Sequence, residues 1–370
     1  MLNTQKNCRE SFWIPVKTYH SKLFSLSGYR LHNSGKKPLI LFPGLYQNAF
    51  AYDLSDDISL AKFLFDNDFD VWLVHPRGTA NSEGRLLLTT LDDYACDDIP
   101  TIIDYVKRET AQAPIFVGQS QGGVTALISL MGLMKTPTGN VFFSDKAQAI
   151  RSNNLSGLVT IGSYLDYSFR KPSTFRTFIE EGFFLKFKKH KIHLMKPERI
   201  LNFIKLFNYM PMPIPHRLRM FLLGSRFMHI FLFPLTFLLR SIASNKIWSF
   251  LFNIPNVSQK SRQMMLYKTS DGSFSRIIQQ FYQAILQHSM HSFDGTLDYS
   301  ANYNRITLPI SMVGMGLDDL VDANIMKTKM FEEISSKNKY YTKWDSMGHV
   351  DHLMAPRFFP LVLEAINKIA

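Results

Sequence analysis

Cysteine is nearly absent: Cys8 and Cys96 are the only two in 370 residues. They stand far apart and form neither a metal-type nor a redox-type spacing. They allow one disulfide but require none, so a reducing compartment is the simpler reading. The first 20 residues lack a continuous apolar stretch and carry Lys6, Arg9, Glu10 and Lys17, which argues against a conventional cleaved signal peptide. No run is long and apolar enough to span a bilayer. Residues 220–239 come nearest, but Arg226, His229 and Pro234 interrupt them, and only 13 residues separate Arg226 from Arg240. A spanning helix needs about 20. There is no internal repeat and no low-complexity tract. These absences point to a cytoplasmic chain, docked peripherally on a membrane if at all.

Acidic residues are scarce in one place. Residues 170–270 hold 18 lysines and arginines against Glu180, Glu181 and Glu198, a local net charge of +15. The whole chain is +12, so the remainder is mildly acidic. The same segment carries 14 of the 31 phenylalanines. Cations interleaved with large apolar side chains suit an anionic membrane surface, at about 1 kcal/mol per cation near the lipid. The plainer alternative is a solvated face over the segment's own core. No nucleic-acid recognition motif accompanies the charge, so a nucleic-acid partner is not expected.

What the chain has is 46% hydrophobic residues, enough for a sizeable core. Lys22 to His32 reads as two short strands around Ser27-Gly28. The continuous apolar run Pro38–Phe42 suits a strand buried on both faces, and Phe69–Val74, Pro114–Val117 and Leu158–Ile161 read as further strands. Helical spacing lies between them, at 59–66, 91–108 and after residue 120. Alternation of this kind implies a parallel sheet with helices on both faces. The rhythm breaks from about Asp166 to Thr296, where aromatic and basic residues recur at helical spacing. It resumes with a strand at Leu308–Val313, a helix from about Ala323 to Ser335, a strand at Lys339–Trp344 and a closing helix at about 357–369. The expected organisation is a doubly wound α/β core over 1–165 and 297–370, with a helical cap at 166–296 inserted after the sixth strand.

The chemistry centres on Gly118-Gln119-Ser120-Gln121-Gly122, placed between a buried strand and a helix. A serine at the apex of such a sharp turn projects its hydroxyl out of the sheet, and its neighbours must be small because strand and helix pass in contact. A serine nucleophile needs a histidine to take its proton and a carboxylate to orient that histidine, here in the chain order Ser, acid, His. The loop after the seventh strand offers Asp318, with Asp319 one residue off. The loop after the last strand offers His349 behind Gly348, with His352 in reserve. Asp166, after the sixth strand, is a secondary acid candidate. The loop Pro43-Gly44-Leu45-Tyr46-Gln47 reads as a tight turn or, functionally, as the place where the Leu45 amide joins the Gln121 amide in an oxyanion hole. No metal site or organic cofactor is expected.

Over residues 20–370, less the insertion, the pattern resembles the α/β-hydrolase superfamily. Within it, 59–64, Asp70-Val71-Trp72-Leu73, Arg77-Gly78-Thr79-Ala80-Asn81-Ser82 and Gly348-His349-Val350-Asp351 resemble the acid-lipase branch. Asp294-Gly295-Thr296-Leu297-Asp298-Tyr299 is similar to bacterial relatives between acid lipases and polyester synthases. Those synthases use cysteine where this chain has Ser120, and Phe42-Pro43-Gly44 replaces the usual His-Gly. The resemblance implies Ser120 as nucleophile, Asp318 as acid, His349 as base, and Leu45 and Gln121 as oxyanion donors. It implies an ester hydrolase for an apolar acyl substrate. An acyltransferase using the same acyl-enzyme, or a non-catalytic lipid-binding fold, remains open.

Overall fold

The computed structural model describes residues 9–85, 87–167 and 251–370, with residue 205 and the backbone of three short strands between 183 and 210. An eight-stranded sheet runs through the described core. Its strands are Arg9–Lys17 (β1), Leu23–Leu31 (β2), Lys37–Phe42 (β3), Phe69–Val74 (β4), Ile115–Gln119 (β5), Gly157–Ile161 (β6), Ile310–Met315 (β7) and Lys339–Trp344 (β8). Their order is β1-β2-β4-β3-β5-β6-β7-β8. β1 and β2 pair antiparallel, β2 and β4 pair antiparallel, and every later neighbour is parallel.

The central strands are buried on both faces, which is why they read as apolar runs rather than alternations. Along β3, Ile40 and Phe42 enter one core layer while Leu39 and Leu41 enter the other. The first layer is covered by Ile99–Thr110 (helix α2), Gln121–Leu130 (α3) and Ser275–Gln287 (α5). The second is covered by Leu60–Asp66 (α1) and Phe359–Asn367 (α6), with part of residues 251–265, which include the short helix Gln259–Met264 (α4). Ser59 caps α1 by accepting from the Lys62 amide at 2.9 Å, the role expected of a serine before the first apolar-periodic turn.

Three local expectations are corrected. Lys22 to His32 is not two strands around Ser27-Gly28. It is the single strand β2, paired residue for residue from Arg9 against Leu31 to Lys17 against Leu23, and the reversal lies at 18–22. Gly28 sits mid-strand because the Phe12 ring and the Leu73 carbonyl close over it: a Cβ there would lie 2.3 and 2.4 Å from them. Helical spacing is also expected throughout the insertion. It holds at α4 and α5, but Phe183–Phe187 and His190–Met195 form an antiparallel hairpin. The helix expected from Ala323 to Ser335 ends at Phe331. Residues 220–239 and most of the basic segment lie outside the described residues.

Arg77, 2% exposed, ties the loop after β4 to the helical run that leads into α2. It donates through Nε (3.1 Å) and Nη2 to Asp98 and lies over the Phe24 ring at 4.5 Å. Asp97 lies 3.8 Å from the same guanidinium, and its Oδ2 has no hydrogen-bond partner among the described residues. Burial pushes the Asp97 carboxyl up to about 7, with Asp98 and Asp93 adding to the shift and Arg77 and Lys135 opposing it. The folded protein therefore holds this proton more tightly than the unfolded chain. Asp97 contributes stability below about pH 4, and the contribution is lost as pH rises through about 7. Asp97→Asn has no such proton to lose. Urea unfolding at pH 5 and pH 8 should show the variant gaining on wild type at the higher pH by on the order of 1–3 kcal/mol.

Candidate active site

β5 ends at Gln119, and the chain turns into α3 through Ser120, whose backbone stands at φ 52°, ψ −120°. Its amide donates to the Ile161 carbonyl at the end of β6 (2.9 Å), and its carbonyl accepts from Val124 (3.0 Å). A Cβ on Gly122 would lie 2.3 Å from the Phe42 carbonyl oxygen, so α3 is seated directly on the end of β3. The turn is the sharp one that the five-residue pattern predicts, with its serine partly exposed.

His349 and Asp318 come from the loops after β8 and β7. His349 Nδ1 and Asp318 Oδ2 lie 2.6 Å apart, with side chains 3% and 0% exposed. The second oxygen, Oδ1, accepts from the Leu320 (2.8 Å) and Val321 (3.1 Å) amides. Asp318 is thereby held by its own loop and faces the imidazole with its remaining oxygen. The ring lies against Gly162: a Cβ there would be 3.1 Å from both Cε1 and Nδ1. Gly162 follows Ile161, which holds the Ser120 amide, so the imidazole and the serine turn share the end of β6. Within the described residues a hydrogen bond joins His349 to Asp318, and none joins it to Ser120.

The Pro43–Gln47 loop runs alongside. A Cβ on Gly44 would lie 2.4 Å from Gln119 Oε1 and 3.0 Å from Ser120 Cβ, so the loop touches the serine turn. The Leu45 and Gln121 amides have no backbone acceptor among the described residues. Gln121 opens α3, where unpaired amides and the helix dipole favour negative charge.

The other candidates stand apart. Asp319 makes no hydrogen bond to His349; burial, and then Asp318, push its carboxyl up. Asp166 pairs with Lys329 at 3.1 Å. His352 is fully buried beside Trp344, and neither ring nitrogen has a partner among the described residues. Burial, reinforced by His349, lowers its pKa to about 3, so it is held neutral. Among the described residues no three His, Cys, Asp or Glu side chains cluster as metal ligands.

The family described as the alpha/beta hydrolase fold matches residues 37–131. A monoacylglycerol lipase from Paleococcus ferrophilus superposes with a TM-score of 0.53 at 14% identity, covering 93% of this chain and 99% of that one. The chain is an α/β hydrolase by fold. Lipase 1 of Drosophila melanogaster is 29% identical over 113 residues, 27% of this chain and 25% of that protein. Human lipase member K is 36% identical over 81 residues, 19% of this chain and 20% of that protein. The hydrolase-fold chain thus matches about a quarter or less of the length of these lipases.

The sequence of this α/β-hydrolase-fold chain did not reveal the groups around the loops. Asp351, noted only as part of a motif, accepts from Gly348 N (2.9 Å), Asn253 N (3.0 Å) and Asn256 Nδ2 (2.6 Å). Nothing in the sequence links positions almost a hundred residues apart. A prediction follows from His352. Its folded-state pKa is depressed, so it contributes stability above about pH 6.5, and the contribution is lost as pH falls toward about 3. His352→Leu removes the group, and its melting temperature should fall less than that of wild type between pH 7 and pH 4. An equal fall in both proteins would contradict a buried neutral His352.

Proposed function

We propose that the chain is a serine carboxylic-ester hydrolase, lipase-like, acting on esters with an apolar acyl group. The observation that carries this reading is the buried His349–Asp318 pair at the end of the strand that holds the Ser120 turn. The lipase-named relatives support it at the level of reaction class. In the proposed cycle Nε2 of His349 takes the Ser120 proton as Oγ attacks the ester carbonyl. Asp318 fixes the ring with its proton on Nδ1 and stabilises the imidazolium. The Leu45 and Gln121 amides receive the oxyanion, where preorganised donors act more strongly than water does. The tetrahedral intermediate collapses, the alcohol leaves with the proton from Nε2, and water attacks the acyl-enzyme by the same route in reverse.

The basic, phenylalanine-rich stretch 170–270 supports docking at an anionic lipid surface, which would bring an apolar ester to the site. No helix among the described residues is long and apolar enough to cross a membrane.

Hydrolysis of p-nitrophenyl esters from short to long acyl chains tests the reading. Wild type should prefer the longer chains. Ser120→Ala should abolish turnover, and Asp318→Asn should lower kcat by about 10³- to 10⁴-fold. Wild type and Ser120→Ala equally inert on every ester would remove simple hydrolysis and favour acyl transfer to an alcohol or thiol. A second test uses vesicles: sedimentation with anionic but not zwitterionic lipid, abolished by high salt, is the outcome expected of the basic segment.

A further inference from the structure

Two of the loops proposed to act on the ester, the His349 loop and the Gly44–Asn48 loop, are built against one short stretch of chain, residues 251–271, which follows directly on 168–250 in sequence. At its first end the stretch holds the His349 loop. Val350 N donates to Leu251 O (2.9 Å), and Asp351 accepts from Asn253 N (3.0 Å) and Asn256 Nδ2 (2.6 Å). Asn256 Nδ2 also reaches Ser346 O at 2.7 Å. A Cβ on Gly348 would lie 2.6 Å from Asn253 N, so the two segments are in backbone contact. Ser346, Gly348, Val350 and Asp351, on either side of His349, are thus held against 251–256.

At its other end the stretch holds the Gly44–Asn48 loop. Asn48 N donates to Thr269 O (2.8 Å), and Asp271 N donates to Tyr46 O (2.7 Å). Asp271 Oδ2 accepts from Asn48 Nδ2 (3.2 Å) and from Ala80 N (2.8 Å). Tyr46 stands at φ 62°, a conformation a non-glycine residue keeps only where its surroundings enforce it. Between the two ends, Phe252, Val257 and Met265 are buried in the same core layer as Trp344, Met347 and Val350. The stretch is thus anchored along its length.

We propose that residues 251–271 form a brace that sets His349 and the Gly44–Asn48 loop as one unit, with Asp351 and Asp271 as positioning residues locking its ends. The inference rests on the function proposed above for what those loops do, though not for whether they are coupled. Neither carboxylate is assigned a contact with substrate. Each acts through the loop it fixes, and a displaced segment 251–271 would move the base and the Leu45 amide together.

Amide hydrogen exchange followed by mass spectrometry tests the coupling without reference to catalysis. Asp351→Asn, and the milder Asn256→Ala, should speed exchange at 346–351 and also at 44–48, beyond the far end of the brace. Asp271→Asn should do the converse. Acceleration confined to the substituted lock's own loop would overturn the brace, and so would no acceleration at either loop. On the ester that wild type prefers, Asp351→Asn and Asp271→Asn should each lower kcat by about 10- to 100-fold with KM little changed, as expected of misplaced groups. The double variant should lose less than the product of the two losses, because either break frees the same segment. Losses that multiply, or a rise in KM alone, would overturn it. Wild type inert on every ester would instead count against the proposed reaction and leave the exchange result to decide the brace.

Discussion

The constraint on which the rest depends is the crowding around Ser120. A residue at φ 52°, ψ −120° is strained, and it persists because β3, β6 and α3 close on it from three sides. The Ile161 carbonyl takes its amide, Gly122 lets α3 rest on Phe42, and Gly44 lets the neighbouring loop approach its side chain. These contacts fix where a hydroxyl can point and how near an amide can come. They also explain why β3, β5 and β6 lie side by side: the turn needs the ends of all three.

Around that turn the protein spends buried charge sparingly and pairs most of it. Arg30 meets Asp70 through two bonds of 2.8 Å and lies over Trp72 at 4.4 Å. Lys135 meets Asp93 at 2.5 Å. Asp92, buried, accepts from Gln280, Phe293 and Tyr299, so the end of the insertion and the chain just after it are fastened to the helical run before α2. Asp97 and His352 are the exceptions: burial raises the Asp97 carboxyl to about 7, so it keeps its proton in mildly acidic solution, and burial holds His352 neutral. A lone buried charge would cost more than either.

Much of this was legible in the amino-acid order. Strands buried on both faces announce themselves as apolar runs, so β3 to β7 were readable. The placement of Ser120, Asp318 and His349 in loops at strand ends was readable, because each follows a strand that the sequence marks. What was not legible depends on contacts distant in sequence. Ser27-Gly28 has turn composition, yet Gly28 is small because Phe12 and Leu73 cover it. The sequence favoured His349 over His352, but the fold alone shows one against Asp318 and the other in an apolar recess. Asp351 and Asp271 look like ordinary loop acids, and their partners lie tens to hundreds of positions away.

The outer edge of the sheet carries a consequence of its own. β1 is one of the two edge strands of the eight, β8 being the other, and among the described residues it pairs only with β2. Pro15, set against Ser25 near the end of that pairing, has no N–H, and exposed Arg9, Glu10 and Lys17 line the same strand. A second molecule adding a strand there would lose one ladder bond at the proline and would have to accommodate three charges. The fold thus gives this margin of its sheet a form poorly suited to strand addition by a second molecule.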